Sequence, residues 1–170
     1  DGEDCGVGES GEVVVRGPHT MIGYWNKPEE TERALQDGWV FTGDAGYFDD
    51  DGYLYIVDRV KDMVVTGGEN VFTTEVENAI AQHPAVQDVA VIGIPHEEWG
   101  ESVHAIVILH EGESLTEDML IDHCRELIAG YKLPKSITFR DEPMPLSGAG
   151  KVLKTELRKP FWEGRERQVN

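Results

Sequence analysis

Between Asp58 and Glu77 the chain changes character several times within one short run. Asp58-Arg59-Val60-Lys61-Asp62 mixes both charge signs, and Met63-Val64-Val65 is a short apolar stretch. Gly67-Gly68 then removes two successive side chains, and Thr74 opens a helical pattern with Glu77 three places on. A strand that must turn at two glycines and feed a helix so soon fits a sheet covered by helices. Charges beside a strand, and bare backbone beside a helix, are the parts from which a phosphate-handling or thin-ligand edge is built.

The flanking segments extend this pattern. Upstream, Glu12 to Arg16 is a β-branched run between Gly11 and Gly17 and predicts a strand. Asn26 is the expected cap of a helix with Pro28 in its first turn, and Gly38 its expected stop. Trp39 to Thr42 reads as a short strand. Tyr47-Phe48 and Tyr53-Leu54-Tyr55 flank Asp49-Asp50-Asp51-Gly52 as a hairpin. The three aspartates lack the remaining spacing of a calcium loop, so they read as a turn.

Downstream, the helix from Thr74 is expected to start with a capping box and to bury Val76, Ala79 and Ile80. Val86 to Ile94 and Ser102 to His110 are strands, and Thr116 opens a helix with Leu120, Cys124, Leu127 and Ile128 on one face. Ser136 to Arg140 is a further strand, and Leu153 to Phe161 a last helix. The expected fold is α+β: a short β-rich portion over residues 1–58, then a small α+β domain with a helix-covered sheet over 59–170. The boundary is expected within Asp58 to Asp62.

The 170 residues hold 33 acidic and 15 basic side chains, a net charge of −18. Such a surface repels phosphate backbones and argues against nucleic-acid binding. An anionic ligand must be met by a local basic cluster or by backbone N–H groups. Cys5 and Cys124 form no metal or disulfide pattern, and Cys124 falls on an apolar helix face, which favours a reduced, cytoplasmic protein. No apolar run reaches membrane-span length. The opening Asp1-Gly2-Glu3-Asp4 carries no methionine and reads as the start of an excised piece.

Several residues can carry chemistry. Asp44, in Thr42-Gly43-Asp44, could accept both vicinal hydroxyls of a ribose; the alternative is a turn aspartate. Arg59 could offer its planar fork to the same nucleotide, or form a surface ion pair. Gly67-Gly68 admits a close-passing ligand, or is a tight turn. Gly148-Ala149-Gly150-Lys151 puts a mobile ammonium on a glycine-rich segment whose spacing is not that of a P-loop. Tyr131-Lys132-Leu133-Pro134-Lys135 is a basic island that could receive a phosphate, with Trp99 or Tyr131 stacking on a base; otherwise it is solvated surface. The six histidines show no ligand spacing, and none receives a role.

The order of these elements is more specific than any one of them. Gly11-Glu12-Val13-Val14-Val15-Arg16-Gly17, Gly23-Tyr24-Trp25 with Pro28-Glu29-Glu30-Thr31, and Gly38-Trp39 to Thr42-Gly43-Asp44 come first. Asp58-Arg59-Val60-Lys61-Asp62, Gly67-Gly68-Glu69-Asn70 and Gly150-Lys151 follow. This succession resembles the C-terminal portion of the adenylate-forming enzymes, specifically the AMP-forming acyl-CoA synthetases, over essentially the whole chain. The resemblance implies that residues up to about Asp58 end a large N-terminal domain and that the rest is a small mobile domain. It implies a two-step reaction: a carboxylic acid, a fatty acid being the expected kind, and ATP with Mg2+ give an acyl-adenylate, and coenzyme A then displaces AMP.

By the same resemblance, Asp44 and Arg59 serve the nucleotide, and Lys61 is the hinge. Lys151 neutralises charge in the first step. Gly67, Gly68 and Glu69 line the pantetheine path in the second, while Trp99, Tyr131 and Lys135 hold the adenine and phosphates of coenzyme A. Magnesium and ATP phosphates are expected mainly on the large domain, whose phosphate loop and acyl pocket this sequence lacks, so the segment alone is expected to be inactive. Its expected partners are the small-molecule substrates and its own N-terminal domain, with a homo-oligomer open. Thr73 and Thr74 stand where many relatives have a proline, and Val65 where some carry a lysine. An adenylation domain serving a carrier protein, and a free-standing nucleotide- or CoA-binding module, are the competing readings.

Overall fold

The computed structural model describes residues 3–164. The chain forms two compact units, Asp1–Val60 and Lys61–Asn170. The first is a four-stranded sheet. Strand β3 (Trp39–Phe48) pairs antiparallel with β1 (Gly11–Val15), β2 (Leu35–Gln36) and β4 (Leu54–Arg59). Tyr47 and Tyr55 face each other across the β3–β4 hairpin and stack with centroids 5.3 Å apart. The hairpin tip is closed by Asp49, whose Oδ1 accepts from the Asp51 and Tyr53 amides.

Two upstream expectations are corrected. Helix α1 (Pro28–Ala34) is entered through Lys27 without a side-chain cap, and Asn26 lies at φ 53° rather than in a cap conformation. Gly38 does not stop this helix. Asp37 and Gly38 both have positive φ and form the two-residue turn between β2 and β3, a geometry that suits the twist of a hairpin.

The second unit is a five-stranded sheet with helices on both faces. Strand order is β6 (Glu69–Val71), β5 (Val64–Thr66), β8 (Gly100–Leu109), β7 (Val86–His96), with β9 (Ser136–Phe139) parallel to β8. The period of two decides the layers. Val91, Val103, Ala105 and Val107 point to one face, where they bury Val76, Ala79 and Ile80 of α2 (Thr73–Ala81) and Leu120 and Cys124 of α3 (Glu117–Arg125). Ala90, Ile92 and Ile106 point to the other, against Met144 and against Leu157 and Phe161 of α4 (Lys154–Trp162). Burial of each Val, Leu, Ile or Met side chain among these is worth about 1.5–3 kcal/mol.

Helix α3 is capped as the sequence predicts, Thr116 accepting from the Met119 amide, but it ends at Arg125, so Leu127 and Ile128 lie beyond it. The capping box expected at Thr74 is not formed: Phe72 occupies the cap position of α2 without a side-chain cap, and Glu77 Oε1 accepts from the Val91 amide. Burial pushes the Cys124 thiol up to about 11, which leaves it unreactive at neutral pH.

His104 is a buried polar group inside this sheet. Its Nδ1 lies 2.7 Å from Ser136 Oγ and its Nε2 3.1 Å from Thr138 Oγ1. Burial holds its pKa below the ordinary 6.5, partly opposed by the charge of Glu117. Above that value both folded and unfolded chains are neutral here, and the full stability is present. As the pH falls below it, the unfolded chain takes up a proton that the folded one resists, and stability is lost. Urea unfolding at pH 8 and pH 5 should therefore show a smaller acid loss in His104→Gln than in the parent.

Candidate functional site

In the first unit, β3 bulges where the sequence suggested that it ends. Glu12 pairs with Ala45 and Val14 with Phe41, so Thr42, Gly43 and Asp44 lie opposite Val13. Gly43 has φ 72°, its amide donates to Glu12 Oε1, and Thr42 Oγ1 donates to Val13 O while accepting from the Asp44 amide. A bulge re-aims the side chain that follows it. Asp44 is the cross-strand partner of Arg59, and Arg59 Nε meets Asp44 Oδ1 at 2.7 Å. The two residues singled out for a nucleotide thus form one half-exposed pair. A carboxylate has about four lone-pair sites, so this bond leaves Asp44 able to accept hydroxyl protons.

In the second unit, Gly67 (φ 59°) and Gly68 (φ 86°) are the two turn residues between β5 and β6, with Thr66 and Glu69 paired behind them. Both positions are left-handed, which a side chain disfavours. The Gly67 amide donates to Trp99 O at 3.1 Å, which anchors the turn to the loop before β8. A Cβ added to Gly68 would meet nothing within 4 Å, so the turn's bare face is open.

Trp99 sits on that loop with Lys135 Nζ 5.4 Å from its ring centroid, and the His96 ring stacks on it at 4.4 Å and 9°. His96 Nδ1 accepts from the Glu98 and Trp99 amides, so the proton lies on Nε2 and the loop is closed on its own imidazole. Gly67, Gly68, Trp99 and Lys135 therefore come together. His96 was missed because no metal or catalytic spacing marks it. The available signal was local: a histidine two and three residues before the amides it closes over.

Tyr131 and Lys151 have other surroundings. Tyr131 lies 5.5 Å from Lys132 Nζ, and that ammonium is held by Glu75 at 2.7 Å. Burial works against the Lys132 charge, but the hydrogen bond and charge of Glu75 outweigh it and hold its pKa above the usual value. Lys151 closes the turn after Leu146, where its amide donates to Ser147 Oγ and its carbonyl accepts from the Ser147 amide. Its side chain is exposed, and no ion pair to it occurs among the described residues. Lys61 lies in a short 3₁₀ turn, Val60–Asp62.

Glu101 is another residue that spacing does not reveal. It is 2% exposed, and its Oε2 accepts from the Val65 amide in the strand that leads to the glycine turn. Among the described residues no cluster of His, Cys, Asp and Glu could hold a metal ion. No helix of the described residues is long and apolar enough to cross a membrane.

The AMP-binding enzyme C-terminal domain family matches residues 75–151. That stretch is just under half of the chain, and the chain resembles the C-terminal portion of adenylate-forming enzymes. Outside the AMP-binding C-terminal domain the similarity continues. The chain is 47% identical over 160 residues to a feruloyl-CoA synthase of an Amycolatopsis species, covering 94% of the chain and 32% of the relative. It is 48% identical over 158 residues to a long-chain-fatty-acid–CoA ligase of Yersinia pestis, covering 93% and 28%. Among solved structures, the o-succinylbenzoate CoA synthetase of Bacillus subtilis in complex with its acyl-adenylate intermediate has a TM-score of 0.85 at 36% identity. That match covers 100% of this chain and 33% of the other. The chain thus spans about a third of the length of these relatives. The α+β fold and the resemblance to adenylate-forming enzymes, both expected from the ordered motifs, are borne out.

Proposed function

We propose that this chain is part of an AMP-forming acid–thiol ligase that converts a carboxylic acid, with a fatty acid as the expected kind, into its coenzyme A thioester. The observation that carries the reading is the Gly67-Gly68 turn tied through its amide to Trp99, with Lys135 beside that ring. It combines what the thiol acceptor needs: a backbone edge without side chains for the thin pantetheine arm, an aromatic face for a base, and a cation for phosphate. Asp44 and Arg59 serve the adenine nucleotide in the same enzyme, Lys61 is the pivot, and Lys151 stabilises charge in the first step. Relatives named as CoA ligases for aromatic and long-chain acids support the reaction class. A related synthetase solved with ATP and a magnesium ion supports the nucleotide.

On this reading the segment alone adenylates nothing, because the phosphate loop and the acyl pocket belong to the remainder of the enzyme. The test is a coupled assay of the full-length enzyme with ATP, magnesium, coenzyme A and a panel of aliphatic and aromatic acids. AMP and a coenzyme A thioester should accumulate together. Transfer only to a carrier-protein thiol would overturn the choice of acceptor. Trp99→Ala should raise KM for coenzyme A about tenfold, at the lower end of the 1–3 kcal/mol typical of base stacking, and leave KM for ATP unmoved.

A further inference from the structure

The first residues of the second unit are gripped by its last helix. Arg158 of α4 is 7% exposed, and its guanidinium spans the start of the unit. Nη1 donates to Lys61 O at 3.3 Å, while Nη2 donates to Asp62 O at 3.3 Å and to Asp62 Oδ1 at 3.0 Å. One planar fork fixes two successive carbonyls and a carboxylate, which a lysine's point charge does not match. The helix is itself fixed. Leu157 is buried, Trp162 Nε1 donates to Gly93 O at 3.0 Å, and Lys154 Nζ meets Glu77 Oε1 and Thr73 Oγ1 at 2.7 Å each. Immediately before it, the Leu153 amide donates to Pro145 O across the turn that carries Lys151.

We infer that Arg158 is a positioning residue for the alternation between the two half-reactions. It makes the Lys61 carbonyl part of the rigid second unit and couples pivot and Lys151 turn through one helix. The Lys61 oxygen lies on the Asp62 side of both Lys61 torsions, so rotation about either leaves it in place, whereas rotation about Asp62 N–Cα would carry it away from Nη1. The swing is therefore kept out of Asp62 and confined to the two Lys61 torsions and the backbone of Val60. This deepens the reading of Lys61 as the pivot and rests on it.

The test places one spin label on each unit of the full-length enzyme, at Asp50→Cys and Glu113→Cys, with Cys5→Ser and other reactive cysteines removed. Both labelled positions are exposed. Double electron–electron resonance then reads the distance distribution. Arg158→Met should broaden it about twofold, because the pivot gains torsions, and should lower overall turnover about tenfold relative to acyl-adenylate formation. Where Arg158→Met does not fold, Arg158→Lys keeps a cation beside Asp62 and should broaden the distribution in the same direction. A role in stability alone would lower the thermal midpoint without widening the distribution, and unchanged widths in folded variants overturn the inference. The distance measurement needs no turnover. A parent enzyme that makes neither adenylate nor thioester would sink the proposed function, while the clamp is still decided by the widths.

Discussion

Lys151→Ala in the full-length enzyme should slow acyl-adenylate formation by about 10²–10³-fold, the usual cost of losing one group aimed at developing charge. Thioester formation from supplied acyl-adenylate should stay within about threefold of the parent, because on the proposed reading another edge of the unit serves that step. The physical basis is the placement of the ammonium on an exposed turn that Ser147 holds through the Lys151 amide and carbonyl, not through its side chain. Removing the side chain leaves those bonds and the Leu146–Val152 bridge intact, so the fold should be unaffected. Pyrophosphate release and thioester absorbance, measured separately, check the two halves. Equal loss in both would mean that Lys151 acts in binding common to them.

Gly68→Val should give the reciprocal result. Thioester formation from supplied adenylate should fall about 10²-fold in kcat/KM for coenzyme A, as expected when a reacting arm is displaced by about 1 Å, while adenylate formation persists. Because a Cβ at this position meets nothing in the protein, the loss must come from the ligand and from backbone strain. Strain can be accounted for separately: a β-branched residue at φ 86° costs about 1–3 kcal/mol of stability, which urea unfolding measures. A variant that loses stability but keeps its coenzyme A kinetics would remove the turn from the acceptor path.

Much of the second unit was legible because its two longest strands are apolar runs and its helices carry clear buried stripes. Val76, Ala79 and Ile80 follow from helical periodicity alone, and Gly67-Gly68 follows from the steric demand of a two-residue turn. The first unit was harder. Gly38 was misread because a glycine after a helical pattern looks like a helix end, whereas here it belongs to a hairpin that returns into β3. Thr42-Gly43-Asp44 was misread because a bulge interrupts pairing without ending the strand.

Within the candidate site, the glycines, Trp99 and Lys135 could be named from sequence, but their meeting could not, since it depends on the Gly67 amide reaching Trp99 O. Arg158 and Glu101 left no local trace at all. Their partners lie 97 and 36 positions away along the chain, so only the folded arrangement gives them a purpose.

Glu101 also limits how this sequence can drift. A Cβ on Gly93 would fall 2.6 Å from Glu101 Oε2, so the empty space at Gly93 is already occupied by a neighbour's carboxylate. Enlarging Gly93 first would dislodge the acceptor that steadies Val65, and shortening Glu101 first would strand that amide and open a void. Mutational routes through this pair are therefore obstructed in either order. A lineage that has once seated an acid in the gap is held to both residues until a third change supplies the missing bond.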